Sequence, residues 1–141
     1  TVFVYSRRNQ SRFRGYTEKR LTGRWSIGIV GHIIPDGTSG RDIVIIESNL
    51  SRKLDEEIAG LGQYSAKLSG YIYSDADDVS RQHFGLLFEV KTESDEPRPK
   101  DAEMGEGSFK TFDEVRKMLS HPEGEFEIWS QIALPVILNL F

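Results

Sequence analysis

Arg52-Lys53-Leu54-Asp55-Glu56-Glu57 is the stretch of this chain whose residue types and spacing could do chemistry. On a helix, positions 53, 56 and 57 stand three and four residues apart and project from one side, so their side chains could converge on one point. Two carboxylates there suit a hard cation such as Mg²⁺, which takes oxygen ligands, keeps several waters and binds through a few carboxylates together with substrate phosphates. A cation so held would polarise a phosphoryl oxygen and lower the pKa of a bound water for attack on phosphorus. The plainer reading is a solvated, charged helix face, on which such pairs contribute only about 0.2–0.5 kcal/mol each. Taken alone, the hexapeptide favours that plainer reading.

Other segments change the balance. Trp25-Ser26-Ile27-Gly28-Ile29-Val30-Gly31-His32 is a β-branched apolar run with glycines where a backbone must come close to something. Glu18-Lys19-Arg20-Leu21 precedes it; Asp77-Asp78-Val79, His83-Phe84-Gly85-Leu86-Leu87-Phe88 and Glu127-Ile128-Trp129-Ser130 follow. In this order, with the Arg52–Glu57 run between, these segments resemble the Nudix hydrolases, and among them the branch labelled phosphoesterase-like. The resemblance implies an α/β fold, an α/β/α sandwich around a mixed β-sheet. It also implies divalent-metal-dependent hydrolysis of a nucleoside-diphosphate-linked or related phosphoanhydride substrate. By the same resemblance Glu56 and Glu57 are the metal ligands for Mg²⁺ or Mn²⁺, and Arg52 completes the catalytic set by orienting them. Gly31, His32 and Arg20 are implied as substrate contacts.

The departures from that pattern are equally informative. The family box reads Gly, five residues, Glu, seven residues, then Arg-Glu-apolar-x-Glu-Glu, so this box is degenerate: Lys53 stands where the Glu after the Arg belongs. Family members use that Glu as a metal ligand and in some cases as the general base. A protonated lysine does neither and repels the cation; a desolvated lysine can lose its proton. Counting back from Arg52, the box glutamate falls at Val44 and the box glycine at Thr38. Gly31 is instead followed by a longer loop, Pro35-Asp36-Gly37-Thr38-Ser39-Gly40, which costs little in loop entropy. Gly60 comes one position later than the family's stop yet still suits a helix C-terminal cap. Two functions therefore stand side by side: a Nudix-type hydrolase impaired by Lys53, and a catalytically inactive Nudix-fold module binding a nucleotide-like ligand or a protein partner.

Composition sets outer limits. The 141 residues, without cysteine, read as a single domain, 1–141, large enough to bury a proper core. No apolar run approaches the roughly 18–20 residues that span a bilayer, and no signal-peptide pattern opens the chain, so a cytoplasmic protein is expected. His32, His83 and His121 lie in different segments without a short ligand spacing, which argues against zinc. Phosphate-binding P-loops, dinucleotide fingerprints and a serine-hydrolase elbow are absent. Residues 1–40 carry seven Lys or Arg against two acids, whereas 41–141 carry eleven against twenty. The basic group, Arg7, Arg8, Arg12, Arg14, Lys19, Arg20 and Arg24 with Phe13 and Tyr16 between, could hold a nucleotide's phosphates and stack its base, or could be a solvated hairpin loop. The acidic whole argues against broad nucleic-acid affinity and for a small phosphorylated ligand.

These residues need elements to position them. Val2–Tyr5 and Trp25–Ile34 read as strands, and Ile43, Ile46, Leu50, Leu54 and Ile58 recur at helical steps, predicting about four turns that bury this stripe and present the box on the charged face. Ser39 to Asp42 can cap that helix. Strands are expected over Leu68–Tyr73 and His83–Lys91; between them Asp75, Asp77 and Asp78 could hold a second metal or a sugar hydroxyl, although a polar turn is the plainer reading. A flexible excursion is expected over Thr92–Ser108, then a capping box Thr111-Phe112-Asp113-Glu114 opening a helix to about Leu119. Ile128–Phe141 reads as a helix bent or interrupted at Pro135. Glu127 is either a late-recruited carboxylate or a salt bridge or cap, His83 a hydrogen-bonded structural residue, and Trp25 and Trp129 core. The chain opens inside a strand, without the strand that usually precedes it, so upstream residues are expected to be missing. The edge thus left open would favour a homodimer.

Overall fold

The computed structural model describes residues 1–8, 23–35, 42–102, 104–121 and 126–139. In chain order the elements are β1 (Val2–Arg7), β2 (Trp25–Ser26), α1 (Asp42–Glu57), β3 (Ile58–Ala59), β4 (Tyr64–Tyr73) and α2 (Asp78–Arg81). There follow β5 (Phe84–Thr92), β6 (Arg98–Pro99), β7 (Met104–Lys110), α3 (Phe112–Ser120) and α4 (Ile128–Ile137).

The centre of the fold follows from the two-residue period of β1. Val2 and Val4 point to one face and Phe3 and Tyr5 to the other, and each face meets a different apolar cluster. Val4 is buried with Val115 of α3, Phe126, and Leu134 and Leu138 of the α4 region; Tyr5 is buried with Ile58 and Met104, with Phe3, Ile29 and Leu61 packed alongside. Each such aliphatic side chain contributes about 1.5–3 kcal/mol on leaving water. Because both faces of β1 are covered, helices lie on one side and the segment leaving α1 lies on the other. This is a mixed α/β architecture.

Sheet pairings are antiparallel: β2-β1-β7, β3-β6 and β4-β5. A parallel bridge joins Trp25 to Phe126. β1 is thus the middle strand of its sheet, flanked by β2 and β7, which corrects the expectation that it leaves an open edge. The β4-β5 pair lays Ile72 and Gly85 against Trp129, so close that a Cβ on Gly85 would come within 2.8 Å of the Trp129 ring. Its other face leaves Tyr71 and Phe84 exposed, their rings stacked 5.5 Å apart.

Local rules account for the caps. The Thr111 hydroxyl accepts from Glu114 N while the Glu114 carboxylate accepts from Thr111 N, the reciprocal capping box expected for α3. Glu127 caps α4, accepting from Trp129 N and Ser130 N, and Pro135 lies inside that helix.

Three expectations are corrected. The strand foreseen over Trp25–Ile34 is a strand only at Trp25–Ser26. Beyond Ser26 no partner strand runs beside it among the described residues, and the chain is tied by side chains: Tyr5 Oη donates to Gly28 O at 2.7 Å and Ser26 Oγ to the same carbonyl at 3.1 Å. α1 has its four turns but buries less than its stripe promised, since Ile43 is 54% exposed while Leu54 and the polar Asn49 are buried. Thr92–Ser108 is not an irregular excursion: β6 pairs with β3, and β7 runs along β1 from Val2↔Lys110 to Arg7↔Met104. Glycine obscured that strand, but Gly107 faces the Phe3 ring and Pro99 so closely that a Cβ would find Pro99 Cγ at 3.0 Å.

Candidate functional site

The site is built where α1 meets the stretch entering it, residues 28–35. Asn49, one turn before Arg52, is the fastener. Its Oδ1 accepts from Ile34 N and its Nδ2 donates to Ile34 O, both at 3.0 Å, and to Ile45 O at 2.8 Å. This pairing satisfies the main-chain groups that the lost strand ladder would have served. Arg52 extends it, donating to Asn49 Oδ1 at 3.0 Å and to His32 O at 3.4 Å. The signal for Asn49 was a polar residue on the apolar side of a helical stripe, a position with a meaning that only the neighbouring chain supplies.

Arg52 also holds Glu56, Nη1 to Oε1 at 2.9 Å. Lys53 reaches two carboxylates at once: its Nζ is 3.2 Å from Glu56 Oε2 and 2.6 Å from Glu57 Oε1. The lysine's aliphatic stem lies over Gly31, where a Cβ would come within 2.7 Å of Lys53 Cε. Gly31 therefore leaves the room that lets Lys53 reach its partners. The Glu56 side chain is half exposed, whereas that of Glu57 is only 13% exposed.

Charges follow from this geometry. Burial works against the Lys53 ammonium, yet hydrogen bonds and attraction from Glu57 and then Glu56 outweigh it, so the group is held above the ordinary lysine range. Lys53 is a fixed cation and not a base. Burial pushes the Glu57 carboxyl up, with Lys53 and Arg7 pulling against it. Glu56 is held below the usual carboxylate range by the hydrogen bonds from Arg52 and Lys53.

The carboxylates expected to hold Mg²⁺ or Mn²⁺ are thus both engaged by an ammonium, and no group of three His, Cys, Asp or Glu side chains suited to a metal occurs among the described residues. As folded here, the donor set does not fit a divalent cation: an oxygen cage needs several anionic or neutral oxygens turned inward, and Lys53 puts a positive charge at their meeting point.

The other sequence-predicted residues fall into place unevenly. Gly31 and His32 are brought onto α1 beside Arg52 and Lys53; Arg20 and the rest of Glu18-Lys19-Arg20-Leu21 lie outside the described residues, as do Arg12, Phe13, Arg14, Tyr16, the loop over residues 36–40 and the cap position Ser39. Asp77 serves the turn, accepting from Ser80 N at 2.8 Å and Ser80 Oγ at 3.0 Å. Glu127 is buried as the α4 cap and also lies 3.4 Å from Ser26 Oγ, so the Glu127-Ile128-Trp129-Ser130 segment ties β2 to α4. Arg7, near Glu57, has a buried Nε without a hydrogen-bond partner among the described residues. A surface hollow of about 430 Å³ lies elsewhere, lined by Trp25, Pro99, Glu106, Gly107, Ser108 and Lys110.

No family model matches this chain, and no curated protein does. Among solved structures, the chain is similar to Tm1382, a crystal structure described as that of a candidate Nudix hydrolase, with a TM-score of 0.60 and 31% sequence identity over 84% of this chain. The fold is Nudix-like. The chain spans 60% of the length of that protein. No helix among the described residues is long and apolar enough to cross a membrane.

Proposed function

We infer that this chain is a Nudix-family domain that engages a nucleoside-diphosphate-linked or related phosphoanhydride ligand at the junction of α1 with the Gly31–His32 stretch, and that its hydrolytic step is impaired by Lys53. Support for the family comes from the shared fold and 31% identity with Tm1382, together with the Arg52, Glu56 and Glu57 arrangement on α1. The observation that carries the impairment is the Lys53 Nζ, 2.6 Å from Glu57 and 3.2 Å from Glu56. An internal ammonium neutralises both carboxylates that would otherwise draw Mg²⁺ or Mn²⁺. With Arg52 beside it, the same ammonium leaves the cluster of four side chains without net charge, a surface that tolerates an anionic ligand better than a bare acidic pair would. Arg7 Nε, a buried donor without a hydrogen-bond partner among the described residues, favours an anion in the same neighbourhood.

A second reading, an inactive module that binds a nucleotide-like ligand or a protein partner, is favoured by the same Lys53 pairing if the ammonium is never displaced. Hydrolysis assays on a panel of nucleoside-diphosphate-linked compounds with Mg²⁺ or Mn²⁺, run beside calorimetric binding of those compounds without metal, separate the two. Slow turnover with the metal carried in on the substrate's phosphates, accelerated in Lys53→Glu, supports the impaired hydrolase. Binding without turnover supports the inactive module, and neither binding nor turnover removes the phosphoanhydride ligand altogether.

A further inference from the structure

His32 and His83 stand 51 residues apart in sequence, yet their Nε2 atoms approach to 3.4 Å, with ring centroids 5.5 Å apart and planes inclined by 50°. Each ring sits on main chain that is held. The His32 carbonyl accepts from Arg52, and Asn49 clasps Ile34 two residues on. His83 N donates to Ser80 O at 3.1 Å where α2 ends, and the next residue enters β5. The pair is reached by solvent, so a small ion can enter.

Two imidazoles can approach this way by sharing one proton, or by sharing one cation. Zinc–imidazole bonds of roughly 2.0–2.1 Å at a tetrahedral angle place the two nitrogens roughly 3.3–3.4 Å apart, which is the separation seen. Imidazole nitrogen prefers Zn²⁺, Ni²⁺ and Cu²⁺ and is a poor ligand for Mg²⁺ or Mn²⁺, so this pair selects a different ion from the one expected at Glu56 and Glu57. We propose that His32 and His83 form a two-imidazole site for a borderline transition cation of the Zn²⁺ or Ni²⁺ type. Two coordination positions are left to water or to an anionic ligand. Two imidazoles are fewer than the four protein ligands of a structural zinc centre, so the pair is a reversible site. The site needs neither Lys53 nor the glutamates, and it stands if the reading of α1 fails.

Calorimetric titration of the whole chain with ZnCl₂ tests it, alongside ¹⁵N NMR of the imidazole nitrogens. One saturable equivalent is expected, with the Nε2 resonances of His32 and His83 both moving and those of His121 staying in place. His32→Gln and His83→Gln should each weaken binding by more than about tenfold, the loss of one of two protein ligands, while Glu57→Gln leaves it unchanged. Circular-dichroism melts identify any variant that fails to fold, and the wild-type NMR shifts decide the question without variants. Absence of saturable binding, or binding that moves only one of the two rings, would overturn the proposal and leave a hydrogen-bonded pair.

Discussion

Lys53 reaches Glu57 only because Gly31 has no side chain: the lysine stem fills the space where a Cβ would stand, and the ammonium at its end meets the carboxylate at 2.6 Å. One residue of the loop entering α1 thereby controls the charge of the helix face. In a Gly31→Ala variant the obstacle to the new methyl is a flexible side chain, not backbone, so Lys53 swings away and the domain stays folded. The expected loss of stability is about 1–3 kcal/mol, since the Glu57 carboxylate, only 13% exposed, is left without its ammonium partner. NMR of ¹³C-methylated lysines should show Lys53 titrating closer to the ordinary range than in the wild type.

Stability toward high pH follows from the same pairing. Lys53 is raised in the folded chain, its attraction to Glu57 and Glu56 outweighing burial. A raised group contributes stability that is fully present below its unfolded pKa and is lost as pH climbs through its folded one. Urea unfolding followed upward from about pH 9 should therefore show a fall past the ordinary lysine value that Lys53→Met lacks. In Glu57→Gln the fall should be smaller and complete at lower pH, because the larger of the two attractions that raise the folded lysine is gone. Glu57, itself raised by burial, obeys the same rule at acid pH: its contribution is greatest when protonated and diminishes as pH rises. Glu56, held low by Arg52 and Lys53, works the other way, contributing above its unfolded pKa and losing it as pH falls.

Asn49 is predicted to be the residue that keeps the Gly31–Ile34 stretch on α1. Asn49→Ala removes the partners of Ile34 N and Ile34 O and one of those of Arg52. Unsatisfied main-chain groups cost about 1–3 kcal/mol when solvent cannot replace the partner; Ile34 is exposed, so the lower end is expected. Amide exchange at Ile34 should quicken by at least tenfold, roughly 1.4 kcal/mol of local opening, while amides of the buried Val4 and Val115 keep their protection.

Thr111→Ala should cost about 1 kcal/mol, the usual value of an N-cap hydroxyl, and lower the thermal midpoint by roughly 2–5 °C for a chain of this size. Thr111→Ser, which keeps the acceptor for Glu114 N, should restore most of it. Differential scanning calorimetry reads both.

What the sequence made legible was whatever local rules decide. The capping box at Thr111 and Glu114 could be read from two residues three apart. The period of β1 and the four turns of α1 could be read from their own letters, as could the carboxylates at 56 and 57 with the lysine among them. Three features depended on distant chain. The stretch after Ser26 reads as strand by composition, but Asn49, Tyr5 and Ser26 satisfy its backbone in place of a neighbouring strand. β7 hid behind Gly105 and Gly107, since the side chain that fills the gap at Gly107 belongs to Phe3. The encounter of His32 with His83 had no spacing to announce it. Lys53 was recognised as a departure from a pattern, but that it would bridge both glutamates depended on its rotamer over Gly31.

The Lys53 ammonium stands, electrostatically, where a divalent cation between Glu56 and Glu57 would stand. Electron paramagnetic resonance counts free Mn²⁺ directly, and a titration of wild type, Lys53→Glu and the double variant Lys53→Glu with Glu57→Gln addresses the claim without any substrate. With His32 and His83 replaced by Gln in all three to remove the imidazole pair, the first should take up no Mn²⁺ saturably, the second should fill one site, and the third should lose it. Saturable Mn²⁺ binding to the chain with Lys53 in place, abolished by Glu57→Gln, would contradict this role of Lys53.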